Sequence, residues 1–243
     1  MPVRILQVFL ASMLALVPAI SACADLQAQP FGEDELHFPQ VVFGGGSQTI
    51  FAVHNPNPGL LTIFHRFFDS DGNPVGGFQN FTVPPLGTHR LELSPDGPQT
   101  VGRMEFTSDL PFTATAFILL EVGGELRPLV GAQPAPLAIQ TRFFGFFGQG
   151  TRSGMALANP DADSTNVLVR LFNSAGLVIR SQGFLLEGFH QRPVFLDELF
   201  PNLNSFEGVV DVLAMPLPVS LISLTQDAQG NIATVATVFP NDP

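Results

Sequence analysis

The sequence predicts an all-β protein: two tandem immunoglobulin-like β-sandwich domains behind an N-terminal signal peptide. Three observations predict it. Glycine and proline supply 23 and 22 of the 243 residues, which suits many short strands and turns better than long helices. Short apolar runs alternate with turn clusters at the spacing expected of a sandwich. The turn signals of the first half also return in the second, as in a duplicated domain.

The internal repeat is carried by named residues. Asn55-Pro56 returns as Asn159-Pro160, and Arg66-Phe67-Phe68-Asp69-Ser70-Asp71-Gly72 as Arg170-Leu171-Phe172-Asn173-Ser174-Ala175-Gly176, both at an offset of 104. Phe43-Gly44 and Gly46 match Phe147-Gly148 and Gly150 at the same offset. Further on the offset drifts: Gly87 and His89 align by letter with Gly188 and His190 at 101, Gly102 with Gly208 at 106, and Leu110-Pro111 with Leu217-Pro218 at 107. Drift of this kind belongs in loops.

In chain order, residues 1–24 read as an export signal, 25–37 as a flexible polar tether, 38–140 as the first sandwich and 141–243 as the second. Arg4 supplies the positive start, Ile5 to Ala24 carries no charge, and Ala22 and Ala24 give the small-x-small pattern of a cleavage site. An uncleaved anchor is the competing reading, since about 20 apolar residues can span a bilayer; Pro18 interrupts such a helix. Within the first sandwich, strands are expected near 38–43, 49–55, 60–68, 75–83, 88–93, 101–107, 112–121 and 126–133. The turns between them include Asn55-Pro56-Asn57-Pro58-Gly59, Asp71-Gly72-Asn73-Pro74, Pro84-Pro85-Leu86-Gly87 and Pro95-Asp96-Gly97-Pro98. Pro134 to Ala138 joins the halves, and a helical turn is expected over Leu196 to Phe200.

Cys23 is the one cysteine of the chain, so no disulfide supports the fold and stability must come from the core. Phenylalanine, present 24 times with tryptophan and tyrosine absent, must fill that core; burying one such ring yields roughly 2–3 kcal/mol. In the second half Val167, Val169 and Leu171 share one strand face and Leu168, Arg170 and Phe172 the other. Arginine avoids cores, so the valine face is inward. By the offset of 104, Ile63, His65 and Phe67 point inward in the first half, and Phe64, Arg66 and Phe68 outward.

The chemistry is mostly exclusion. Ten arginines, no lysine and 21 acids give a net charge of −11, which repels nucleic acid and anionic membrane surfaces. Asp69, Asp71 and Asn73 have a spacing like that of a calcium loop, but glycine falls at position four rather than six, and a hairpin turn explains them without a metal. The histidines His37, His54, His65, His89 and His190 do not converge in the pattern that zinc needs. Ser153 lacks a nucleophile elbow, and Asp197-Glu198 falls in the helical turn. No catalytic residue, metal or cofactor is expected, and the chain reads as a non-enzyme. Sugar platforms rely on tryptophan and tyrosine, which are missing.

Exposed aromatic residues beside arginine have the composition of protein-interface anchors. The stripe Phe64-Arg66-Phe68 and its counterpart Leu168-Arg170-Phe172 are therefore the candidate binding surface. Covering of that stripe by a neighbouring strand, loop or the sister domain is the competing reading. The run Phe143-Phe144-Gly145-Phe146-Phe147 is expected to open the second sandwich, and if exposed would be an adhesive edge.

Two resemblances add to this. Ile20-Ser21-Ala22-Cys23 resembles the lipobox of bacterial lipoproteins, with isoleucine for the usual leucine, which implies lipid on Cys23; an ordinary signal peptide carrying a cysteine is the alternative. The order Asn-Pro, Phe-Asp-x-x-Gly, Pro-Pro-x-Gly, a glycine-led strand and Leu-Pro resembles tandem β-sandwich repeats of bacterial exported proteins, which implies export and fold rather than an activity. The second copy departs from it, with Leu185-Leu186-Glu187-Gly188 in place of the double proline. The expected function is an exported adhesion, scaffold or protein-binding module with an unidentified protein partner. The alternative is a ligand- or metal-binding accessory protein of an exported enzyme or assembly.

Overall fold

The strands fall between the proline- and glycine-rich turns, as alternation of apolar residues requires. The computed structural model describes residues 33–122, 125–235 and 237–239, all within one unit, Gly32–Pro243. The signal-peptide expectation and Cys23 lie outside the described residues. The first half comprises β1 (Glu33–Phe43), β2 (Ser47–His54), β3 (Leu61–Asp69), β4 (Pro74–Val83), β5 (Thr88–Leu93), β6 (Thr100–Val122) and β7 (Glu125–Ala132). The second comprises β8 (Leu137–Ala138), β9 (Gln140–Gly148), β10 (Thr151–Ala158), β11 (Thr165–Phe172), β12 (Val178–Leu186), β13 (Gln191–Phe195), α1 (Leu196–Leu199), β14 (Phe206–Met215), β15 (Val219–Gln226), β16 (Ile232–Val235) and β17 (Thr237–Val238).

Three expectations are corrected. Residues 33–37 are not tether but the start of β1: Leu36 and Phe38 alternate into the core, at 4% and 1% exposure, opposite Phe106 and Met104 of β6. The two strands expected over 101–121 are one, and β6 runs 23 residues straight through Leu110-Pro111. Pairing of β8 with β15 puts Leu137 and Ala138 in the second sheet system, ahead of the boundary expected at 140/141.

Each half has two layers. In the first, β4-β3-β6-β1 use the first part of β6, and β5-β2-β6-β7 use its second part. In the second, β12-β11-β14-β9 face β13-β10-β15-β16, with Pro216 and Pro218 separating the two strands that correspond to β6. The two-sheet, all-β architecture is the expected one. In the first half β2 pairs with β5 and β3 with β6, and β1 lies beside β6 rather than β2. Phe38, Phe51 and Phe106 pack edge to face at 5.0–5.8 Å in the first core. The second is more aliphatic, around Leu157, Val169, Leu171, Val210 and Leu221.

A buried asparagine closes the same turn in each half. Asn55 Nδ2 donates to the carbonyls of Gly59, Val83 and Pro84, and Asn159 Nδ2 to those of Asp163, Leu186 and Glu187. The backbone bonds of this turn also correct the letter alignment. Leu86 N donates to Asn57 O as Phe189 N does to Asp161 O, and Asn55 N donates to Gly87 O as Asn159 N does to His190 O. Leu86 therefore stands where Phe189 stands, both left-handed at φ 55 and 62. His89 is not the counterpart of His190; Gly87 is.

That turn also joins the halves. Phe189 stacks on Phe68 at 5.6 Å with rings 7° from parallel, its carbonyl accepts from Arg103 Nε at 2.9 Å, and Gln191 N donates to Ser70 O. A Cβ placed on Gly72 would come within 3.1 Å of Gly188 O.

Candidate functional site

The outer face of β12-β11-β14-β9 is organised around Asp211. Inward-facing Val210 and Val212 put Asp211 on the outside of β14, where alternation predicts solvent, yet it is 0% exposed. It is covered by its cross-strand neighbours, Arg142 on β9 and Arg170 on β11, which lie in register on either side. Arg142 Nε donates at 2.7 Å to one carboxylate oxygen and Arg170 Nε and Nη2 donate at 3.0 and 2.5 Å to the other, with Gln140 also donating. Burial pushes the carboxyl up, but these hydrogen bonds and the Arg170 charge outweigh it and hold it below its ordinary range. Glu105 holds the matching register place in the first half, between His37 and Arg66.

Beside this clamp lies an open groove of about 670 Å³, walled by Phe144, Phe172 and Val209, with Asn173, Ser174 and Gly176 at one end and Arg142 and Glu207 at its rim. Phe144 is 50% exposed and Val209 40%. An uncovered aromatic and aliphatic surface of this kind, rimmed by charge, is the composition of a protein-docking patch.

The expected stripe is thus divided. Leu168 is exposed, Phe172 lines the groove, and Arg170 is committed to Asp211. In the first half Phe64 stacks on the exposed Phe78 at 5.4 Å, and Arg66 lies over the Phe68 ring at 4.6 Å. Phe68 does not face solvent: it faces away from its own core but is 2% exposed, because Phe189 and the guanidinium of Arg103 cover it. An inter-half contact 121 residues apart leaves no trace in strand alternation. Phe144 belongs to the phenylalanine run singled out in the sequence, and it is exposed; sequence reasoning missed Asp211 and Val209, and an acid on a strand between two arginine-bearing strands was the available signal for the first.

Elsewhere the residues make structure. Asp69 Oδ1 accepts from the backbone N–H groups of Asp71 and Asn73, and Asn173 Oδ1 from those of Ala175 and Leu177, so both are hairpin turns. Among the described residues no group of three or more His, Cys, Asp or Glu is arranged to hold a metal ion. His65 is buried as expected, at 7% exposure between Phe81 and Phe106. Burial lowers its pKa, helped by nearby His89 and opposed by a hydrogen bond with Gln79. Among the described residues no helix is long and apolar enough to cross a membrane.

Neither a known protein-family model nor a curated protein sequence matches the chain. Among solved structures, it is similar to a beta-glucuronidase from glycoside hydrolase family 2 at 10% identity and a TM-score of 0.18, over 87% of this chain and 25% of that one. The chain spans about a quarter of that structure, and a likeness this weak carries no inference about activity.

Proposed function

We propose that the protein is an exported, non-catalytic binding or scaffold module built from two tandem copies of one β-sandwich. The observation that carries this reading is the uncovered groove of Phe144, Phe172 and Val209 beside the Asp211 clamp. The clamp fixes Arg142 and Arg170, so the groove is a rigid surface needing little ordering on binding. Export, with lipid on Cys23 or without it, rests on the sequence of the first 24 residues.

The test is a photo-reactive phenylalanine at position 144 in the full exported protein. Discrete cross-linked species are expected from that position and not from a control at exposed Gln182. A chain that reacts equally from both sites, or from neither, overturns the reading. Intact mass of the mature protein tests the address separately, as a diacyl or triacyl increment on a chain starting at Cys23 or an unmodified chain starting near Asp25.

A further inference from the structure

The groove of the second half is the empty twin of a socket that is filled in the first. Phe172, Ser174, Gly176, Gly208 and Val209 correspond in strand register and turn geometry to Phe68, Ser70, Gly72, Gly102 and Arg103. In the first half those residues receive the Phe189 turn. In the second half no turn among the described residues makes the corresponding contact: a Cβ on Gly176 has no neighbour within 4 Å, while one on Gly72 meets Gly188 and Phe189. The turn equivalent to Phe189 likewise enters no socket among the described residues. Its tip is Leu86, 68% exposed and left-handed, a conformation that strains a side-chain-bearing residue.

We propose that a second copy of this chain fills the groove with its Leu86 turn, so that molecules join head to tail by the same turn-in-socket contact that helps to join the two halves of each. Resting on the binding role proposed above, this names the partner. The substitutions across the contact agree with it. Where the filled socket has Arg103 for a backbone carbonyl, the empty one has Val209 beside Phe144, an apolar wall suited to leucine. Thr88 stands in the place of Gln191, with its N–H available to Ser174 O as Gln191 N is to Ser70 O. The contact is heterologous, so it propagates into chains or closes into rings. Copies this acidic, with 21 acids against ten arginines over the full sequence, repel, so association should strengthen as salt screens them.

Sedimentation velocity of the mature chain against concentration, at low salt and at about 0.3 M, provides the test. Wild type should grow beyond dimer with concentration, more so at high salt. Leu86→Asp, which suits the left-handed turn, and Val209→Asp should each be monomeric with an unchanged melting temperature. Mixed together, they should form a heterodimer and stop there, since one retains a groove and the other a tip. A wild type that stays monomeric, or variants that associate as wild type does, overturns the proposal. Self-adducts from position 144 would support this partner. Adducts of another mass would overturn it while leaving the binding role intact, and no adducts would overturn both.

Discussion

Arg103 Nε donates at 2.9 Å to the backbone carbonyl of Phe189, a residue 86 positions further on. The same guanidinium lies 4.0 Å over the ring of Phe68, pairs with Glu105, and is 2% exposed. One side chain thus fixes the stack between halves and balances a half-hidden carboxylate. Removing Arg103 leaves Glu105 with the longer pairing to Arg66, at 3.8 Å, and the Phe189 carbonyl without this donor, at a cost of about 2–3 kcal/mol.

Arg103→Met should therefore lower unfolding free energy by about that amount. Phe189→Ala should lower it by about 1–2 kcal/mol through the lost stack. Because both act through one contact, the double variant should cost less than their sum. Urea denaturation of all four proteins closes the cycle, and strict additivity would contradict the shared contact.

Asp211 predicts an acid dependence. Its carboxyl titrates below its ordinary value of 3.8 in the folded protein, so it binds a proton less readily folded than unfolded. Its contribution is then full above pH 3.8 and is lost as pH falls through the lower folded value. Asp211→Asn should destabilise the protein at neutral pH by about 3 kcal/mol, leaving Arg142 and Arg170 facing a neutral amide. Its denaturation midpoint should then fall less steeply than wild type below pH 4, measured by urea titration from about pH 6 to 3.

His65 predicts a second window, nearer neutrality. With its folded pKa below 6.5, the unfolded chain binds the proton first. Stability is full above pH 6.5 and declines as pH drops through that value, levelling below the folded pKa. His65→Phe keeps an aromatic ring between Phe81 and Phe106 and should flatten this decline. Thermal melts of both proteins between about pH 7.5 and 5 would show it; parallel curves would place the titration elsewhere.

Much of this fold is written locally. Alternation placed Val167, Val169 and Leu171 inside, and the Asn-Pro and Pro-Pro clusters marked turns that the backbone makes. What stayed hidden depends on distant partners. Phe68 obeys alternation and is buried nonetheless, because the turn that covers it belongs to the other half. Asp211 needs the register of three strands before its two arginines meet. The histidine alignment failed because letters matched where hydrogen bonds do not, and Leu86, without a chemical signature of its own, emerged as the counterpart of Phe189.

The paired asparagines test whether the halves melt separately. Asn55 and Asn159 are each 0% exposed, and each satisfies three backbone carbonyls that would otherwise be left without that donor. Replacing either with alanine should cost about 2–3 kcal/mol, the penalty for buried acceptors left unpaired. With Arg103 and Phe189 coupling the halves, both variants should lower one shared transition in calorimetry. With Phe189→Ala added, one inter-half contact is lost while the hydrogen bonds from Gln191 Nε2 to Gln40 Oε1 and from Thr234 Oγ1 to Gly131 O remain. The transition should then broaden, Asn55→Ala lowering the part from the first core and Asn159→Ala the other. A transition that stays as sharp as that of wild type in those double variants would mean that the remaining inter-half contacts, including Ile222 packed against the first core, carry the coupling on their own.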